Sequence, residues 1–195
     1  MGLAQPLSAD IRHLILDRDG VLNREAPEHG YILAPEDFAW LPGSLQALVT
    51  LTRLGIRISV ATNQSAVGRG LMTLPQLEQV LATMRTQAAA AGAHIEAVYF
   101  CPHAPGAGCD CRKPAPGLIR SAVQASGIAA AQTLVVGDDV RDVQAASAAG
   151  VRAVMVRTGK GRQAAQLLEG GDALPIFDDL AQIARNFAQD RSTHE

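Results

Sequence analysis

Outside the eleven residues from Cys101 to Cys111 the 195-residue chain contains no cysteine. A disulfide framework spread over the fold is therefore excluded, and three thiols in one short stretch fit metal binding in a reducing compartment. A surplus of basic residues is also missing: 17 Lys and Arg stand against 19 Asp and Glu, a formal net charge of −2. Non-specific nucleic-acid binding needs excess positive charge on one face, so no nucleic-acid partner is expected, and an anionic ligand would need a local cluster of cations. No segment approaches the ~20 uninterrupted apolar residues of a membrane span, and Met1 to Asp10 lacks the apolar core of a signal peptide. A cytoplasmic protein without a membrane partner is the expectation. With 48% hydrophobic and 18% charged residues, the chain suits one well-packed domain over 1–195 and is too short for two large ones.

Within that domain one pattern repeats: an apolar run empties into hydrogen-bonding residues. His13-Leu14-Ile15-Leu16 runs into Asp17-Arg18-Asp19-Gly20, a short buried strand that ends in a turn. Taken alone this is a strand with an Asp-rich turn. Yet two carboxylates this close repel unless a cation or a shared proton offsets them, and hard oxygen ligands suit Mg²⁺. Glu25 to Trp40 has little periodicity and reads as a flap near this exit, from which Glu28-His29-Gly30-Tyr31 could reach back over the acids or serve only as surface loop. Leu45, Leu48, Val49 and Thr52 predict a helix stopped by Gly55, and Ile56 to Ala61 a second strand opening into Thr62-Asn63-Gln64-Ser65, whose hydroxyls and amides suit a phosphate. Thr73 with Gln76 forms a capping box for a helix reaching the alanine run before Gly92, and Ile95 to Phe100 is a third strand.

The cysteines follow. Cys101, His103, Cys109 and Cys111 lie in a Gly- and Pro-rich loop, and three thiols with one imidazole are a common structural zinc set. Four protein ligands leave no open position, so such an ion holds the loop rather than reacting. Directly after it, Arg112-Lys113-Pro114 supplies the local cations an anion would need. Leu118 to Val123 predicts a helix ending near Gly127, and Thr133 to Val136 a strand running into Gly137-Asp138-Asp139. Asp138 could join Asp17 as a metal carboxylate; Asp142 could cap a helix over Val143 to Ala149 or support the ion from behind. Ala153 to Val156 is a last strand, Arg157 to Leu174 carries no assignable element, and Phe177 to Phe187 reads as a closing helix. Alternation of strands and helices argues a parallel sheet covered on both faces.

Asp17-Arg18-Asp19-Gly20-Val21-Leu22-Asn23, Thr62-Asn63-Gln64-Ser65, Arg112-Lys113-Pro114, and Gly137-Asp138-Asp139 with Asp142 resemble the four motifs of the haloacid dehalogenase (HAD) superfamily of phosphatases, over about Leu14 to Gly161. The resemblance implies a three-layer, Rossmann-like α/β fold with a mainly parallel sheet. It is capless, because the motif spacing leaves room only for single helices, strands, the flap and the zinc loop 101–111. The Cys-x-His and Cys-x-Cys-Arg-Lys-Pro loop is similar to the branch containing heptose bisphosphate phosphatases and their relatives, the histidinol-phosphate phosphatases. His29-Gly30-Tyr31 resembles the flap of the heptose enzymes, whereas Asp139 departs from the Lys they often carry there.

By this resemblance Asp17 is a nucleophile forming an aspartyl phosphate, and Asp19 is the acid that protonates the leaving oxygen and then the base for water. Thr62 and Lys113 bind the transferring phosphoryl oxygens. Mg²⁺ is held by Asp17, the Asp19 carbonyl and Asp138. Zn²⁺ is held by Cys101, His103, Cys109 and Cys111. Glu28, His29, Gly30, Tyr31, Asn63, Gln64, Ser65, Arg112 and Asp139 face the rest of the substrate. That substrate would be a phosphorylated sugar, with removal of the C7 phosphate of heptose 1,7-bisphosphate in the supply of activated heptose for lipopolysaccharide or S-layer glycans, and the enzyme a monomer. Histidinol phosphate is the alternative substrate. A zinc-stabilised binding module without catalysis is a remoter alternative, whose mark would be loss of Asp17, Asp19, Lys113 or Asp138; all four are present. Cys101→Ser is expected to lower zinc content and melting temperature together, measured by metal analysis and thermal unfolding, and full activity with no bound zinc would remove the site.

Overall fold

In the computed structural model, which describes residues 10–26, 30–168 and 174–192, apolar strands and amphipathic helices alternate. The order is β1 (His13–Leu16), α1 (Ser44–Arg53), β2 (Arg57–Asn63), α2 (Ser65–Gly68), α3 (Leu74–Ala90), β3 (Ala97–Cys101), α4 (Gly117–Ser126), β4 (Thr133–Gly137), α5 (Val140–Ala148), β5 (Arg152–Val156), α6 (Gly161–Leu168), β6 (Ile176–Phe177) and α7 (Leu180–Ser192). The strands form one six-stranded sheet in the order β3-β2-β1-β4-β5-β6, every pair parallel.

All four β1 side chains are buried, as a parallel strand covered on both faces requires. Alternation sends them to opposite layers. Leu14 and Leu16 join Ile58, Val60, Leu134 and Val136 in the larger core, against helices such as α1, α3 and α7; Ile15, Ala61 and Val135 face α4 and α5. Leu16 is level with Val60 on one side and Val136 on the other, so the residues that follow β1, β2 and β4 emerge along one sheet edge. Because the chain proceeds from β1 to β2 on one flank and returns to β4 on the other, the edge between β1 and β4 is a topological switch point, where open α/β sheets bind ligands.

Several boundaries differ from the sequence reading. β2 runs on to Asn63 because Thr62 and Asn63 still pair with Phe100 and Cys101, and the tetrad then turns into the short helix α2. The third strand starts at Ala97 rather than Ile95, which is buried before it. Asp139, not Asp142, caps α5, which begins at Val140; its carboxylate accepts from the Arg141 N–H, while Asp142 reaches back to the Asp139 N–H. Helix α6 occupies part of the stretch left unassigned, and Phe177 belongs to β6, the closing helix starting at Leu180. Among the described residues no helix is long and apolar enough to cross a membrane.

His13 shows how completely β1 is enclosed. Its ring is fully buried, with Nε2 at 3.0 Å from Ser59 Oγ. Burial, reinforced by the Arg57 charge, drives its pKa from 6.5 down to about 4. The unfolded chain therefore binds the extra proton between pH 6.5 and 4, and stability falls as pH drops through that window, by up to about 3 kcal/mol. His13→Gln is expected to flatten the slope of unfolding free energy against pH by nearly one proton there, measured by urea denaturation; an unchanged slope would contradict the burial argument.

Candidate active site

At the switch point four charged groups from three segments meet. Asp17 follows β1, Asp138 follows β4, Asp142 lies in the first turn of α5, and one carboxylate oxygen from each falls within 4.8 Å of the others. Lys113 enters from the loop after β3. Its buried ammonium has three acceptors for its three N–H bonds: Asp142 Oδ1 at 2.5 Å, Ala61 O at 2.7 Å and Asp17 Oδ1 at 2.9 Å. Burial alone would pull the Lys113 pKa down, but the Asp142 and Asp17 carboxylates outweigh it and hold the ammonium charged. Burial lifts Asp17 to about 6, with Lys113 opposing and Asp142 and Asp19 adding to the rise. Asp138 rises to about 8 through burial and the Asp17 charge, despite a hydrogen bond from the Lys160 backbone N–H at 2.8 Å. Three acids around one ammonium leave an excess of negative charge. A hard divalent cation is the natural complement of such oxygens. Gly20 and Gly159, both with positive φ, flank Asp138 so closely that a Cβ on either would strike its carboxylate.

Asp19 faces another way. Arg18, buried beneath it, grips it through Nε at 3.1 Å and Nη2 at 2.8 Å, and Asn23 and Gln64 each donate at 2.9 Å. Burial pushes the Asp19 carboxyl up, but the Arg18 charge and these bonds prevail and keep it below the ordinary value. It is held as a carboxylate, ready to accept a proton; to donate one it must first leave the Arg18 fork.

The polar tetrad divides its labour. Gln64 bridges Asp19 and the Thr62 hydroxyl, to which it donates at 2.8 Å. Asn63 clamps the Lys113 backbone, accepting from its N–H and donating to its carbonyl, each at 3.0 Å. These two amides position catalytic candidates. Ser65 Oγ and Tyr31 Oη lie 3.4 Å apart across the cleft from the flap. Gly30 also lines the cleft, whereas Glu28 and His29 lie outside the described residues.

Cys101, His103, Cys109 and Cys111 converge, with Cys101 Sγ at 3.6 Å from Cys109 Sγ and 3.2 Å from Cys111 Sγ, and His103 Nδ1 at 3.3 Å from Cys111 Sγ. A tetrahedron with Zn–S bonds of about 2.3 Å has edges of about 3.7 Å, so four donors at these spacings, free of disulfides, can hold a tetrahedral ion. The loop is docked as well as tied: Gly68 at the end of α2 donates to Pro102 O at 2.8 Å. From it Arg112 reaches the same cleft and donates to His103 O at 3.3 Å.

The cleft, of about 360 Å³, is lined by acids at its base and by paired charges at its mouth. Asp139 lies at this mouth, its carboxylate committed to Arg141, and burial is outweighed by those bonds so that its pKa falls to about 2. Lys160 pairs with Glu25 at 2.8 Å. Arg18, Glu25, Arg141 and Lys160 were not singled out from the sequence. Arg18 was hidden between two acids that each claimed a role, and Lys160 stands alone on the loop before α6; Asp142 carried a signal in its four-residue spacing from Asp138.

A family model described as HAD-hydrolase-like matches residues 110–183. A D-glycero-β-D-manno-heptose-1,7-bisphosphate 7-phosphatase of Pseudomonas putida is 42% identical over 174 residues, covering 88% of this chain and 97% of that one. A protein of the same name from Bordetella bronchiseptica is 38% identical over 179 residues, covering 91% and 98%. The crystal structure of the D,D-heptose 1,7-bisphosphate phosphatase of B. bronchiseptica, complexed with magnesium and phosphate, matches with a TM-score of 0.86 at 36% identity over 92% of this chain and 99% of that one. The chain thus belongs to the heptose-1,7-bisphosphate 7-phosphatase family of HAD-like hydrolases.

Proposed function

We propose that this chain hydrolyses the C7 phosphate of D-glycero-β-D-manno-heptose 1,7-bisphosphate through an aspartyl-phosphate intermediate. The observation that carries the reading is the meeting of Asp17, Asp138 and Asp142 around the Lys113 ammonium at the switch point. The names of the relatives support the sugar and its anomer.

Asp19 enters the reaction out of the Arg18 fork and carrying a proton taken from solvent or left from the previous turnover; Asp17 attacks phosphorus in line, and the bond to the C7 oxygen breaks as Asp19 delivers that proton to it. Asp19 then takes a proton from a water molecule that attacks the acyl phosphate, releasing inorganic phosphate and restoring Asp17. Between the two steps Asp19 trades positions between the Arg18 fork and the reacting oxygens. Lys113 has no N–H bond left over; it acts on the phosphoryl oxygens as a fixed charge while orienting Asp17, and the Thr62 hydroxyl donates to them. Asp17, Asp138 and the Asp19 backbone carbonyl are the residues that would hold Mg²⁺, with Asp142 behind them on Lys113. When bound, the ion offsets the repulsion between an anionic nucleophile and an anionic phosphate. Cys101, His103, Cys109 and Cys111 are the residues that would hold Zn²⁺, and a structural ion there would fix the loop that delivers Arg112 and Lys113. Arg112, Ser65 and the flap residues Glu28, His29, Gly30 and Tyr31 contact the rest of the sugar.

Phosphate release is to be compared on both anomers of the heptose bisphosphate and on histidinol phosphate, with Mg²⁺ present. The β anomer is expected to give the highest kcat/KM, and preference for histidinol phosphate would overturn the substrate assignment. Asp17→Asn is expected to lower turnover at least about 10³-fold with an unchanged circular dichroism spectrum; retained turnover would remove Asp17 as nucleophile. Gly159→Ala, by crowding Asp138, is expected to raise the Mg²⁺ concentration for half-maximal activity about tenfold, and an unshifted metal titration would exclude Asp138 as a ligand.

A further inference from the structure

The phosphatase reading accounts for the base of the cleft and leaves the charges at its mouth without a task. A bisphosphate carries a second phosphate that is not cleaved, and it needs cations away from Lys113. Asp139 offers none. Two cations from separate elements stand beside it instead: Arg141 on the first turn of α5 and Lys160 on the loop before α6. Both line the cleft shared with Asp17 and Lys113, and their side chains are 41% and 52% exposed, open to a ligand. They lie close enough for the Arg141 charge to work against the Lys160 ammonium, and Asp139 feels both. Two like charges brought together at a cleft mouth form an anion seat.

Their counter-ions are not equivalent. Asp139 is fixed as the cap of α5, and it takes Arg141 bidentately, through Nε at 3.0 Å and Nη2 at 2.5 Å, leaving the opposite edge of the guanidinium free of that carboxylate. Glu25 meets Lys160 through one partly exposed contact at the base of the flap. Such pairs are weak, and a phosphate dianion is a stronger partner for an ammonium than a carboxylate. Lys160 can therefore exchange its anion while Arg141 keeps the one that orients it.

We infer that Arg141 and Lys160 form the seat of the non-transferred phosphate, with Asp139 fixing the Arg141 guanidinium and Glu25 serving as an internal anion that the phosphate displaces from Lys160. The inference rests on the phosphatase reading and assigns the specificity for a bisphosphate to these side chains.

The test is steady-state hydrolysis of heptose 1,7-bisphosphate and of heptose 7-phosphate, which lacks the second phosphate. Arg141→Gln and Lys160→Gln are each expected to raise the ratio of KM for the bisphosphate to KM for the monophosphate at least about tenfold. Glu25→Gln is expected to shift in the opposite direction, lowering KM for the bisphosphate severalfold, whereas an ion pair that merely braced the flap would make this variant worse on both substrates. Arg120→Gln, an exposed change on α4, serves as the charge-matched control with an unchanged ratio. A flat ratio in both cation variants, or a raised bisphosphate KM in Glu25→Gln, overturns the inference while wild-type turnover keeps the phosphatase reading. Absence of wild-type phosphate release from either sugar overturns both.

Discussion

The Lys113 ammonium is the contact on which the site depends. Removing an amine from water is costly, and an unpaired buried charge is tolerated poorly; here each N–H bond finds an acceptor, from Asp17 after β1, Ala61 on β2 and Asp142 on α5. Three elements far apart in the chain are thereby tied through one side chain. The same contact orients the Asp17 carboxylate and keeps Asp142 from being a lone buried anion. Lys113 can reach this position because its backbone is clamped by Asn63 and the preceding loop is gathered by the Cys101, His103, Cys109 and Cys111 cluster.

Around this contact the electrostatics are graded from base to mouth. At the base, burial raises Asp17 and Asp138, a region short of positive charge that a divalent ion completes. Two positions after Asp17, Asp19 is held ionised by Arg18. Two carboxylates separated by a single residue are thus pushed in opposite directions, the condition that lets neighbouring acids take different roles. At the mouth, Asp139 with Arg141 and Glu25 with Lys160 are ion pairs in more exposed positions, where charge can be exchanged with a ligand.

Most of the strand-and-helix order was legible because each apolar run has a period and a boundary: the buried run of β1, the Thr73 and Gln76 capping box of α3, the Gly127 stop after α4. The misses have physical causes. The polar tetrad is split between the end of β2 and the start of α2, because Asn63 still pairs with Cys101 while α2 ends on a hydrogen bond from Gly68 to the loop after β3, tertiary contacts with no local signature. The α5 cap moved to Asp139 because both Asp139 and Asp142 are competent caps, and only the demand of Lys113 for a carboxylate decides between them. β6 is only two residues long, so pairing with β5 decides it, whereas α6 carries an amphipathic spacing of Ala164, Ala165 and Leu168 that the sequence reading passed over.

The sequence by itself determined the sheet class, the strand exits carrying Asp17, Thr62 and Asp138, and the clustering of Cys101, His103, Cys109 and Cys111 in one loop, since each is a local pattern of polarity and spacing. Tertiary structure alone decided what those residues do to one another. It turned Asp19 onto Arg18, gave Asp142 to Lys113, spent Gln64 and Asn63 on positioning, and brought Lys160 from the far side of β5 to Glu25. The physical reason is that charge and hydrogen-bond partnership depend on distance and burial. Those are set only when the parallel register of β2, β1 and β4 aligns their ends.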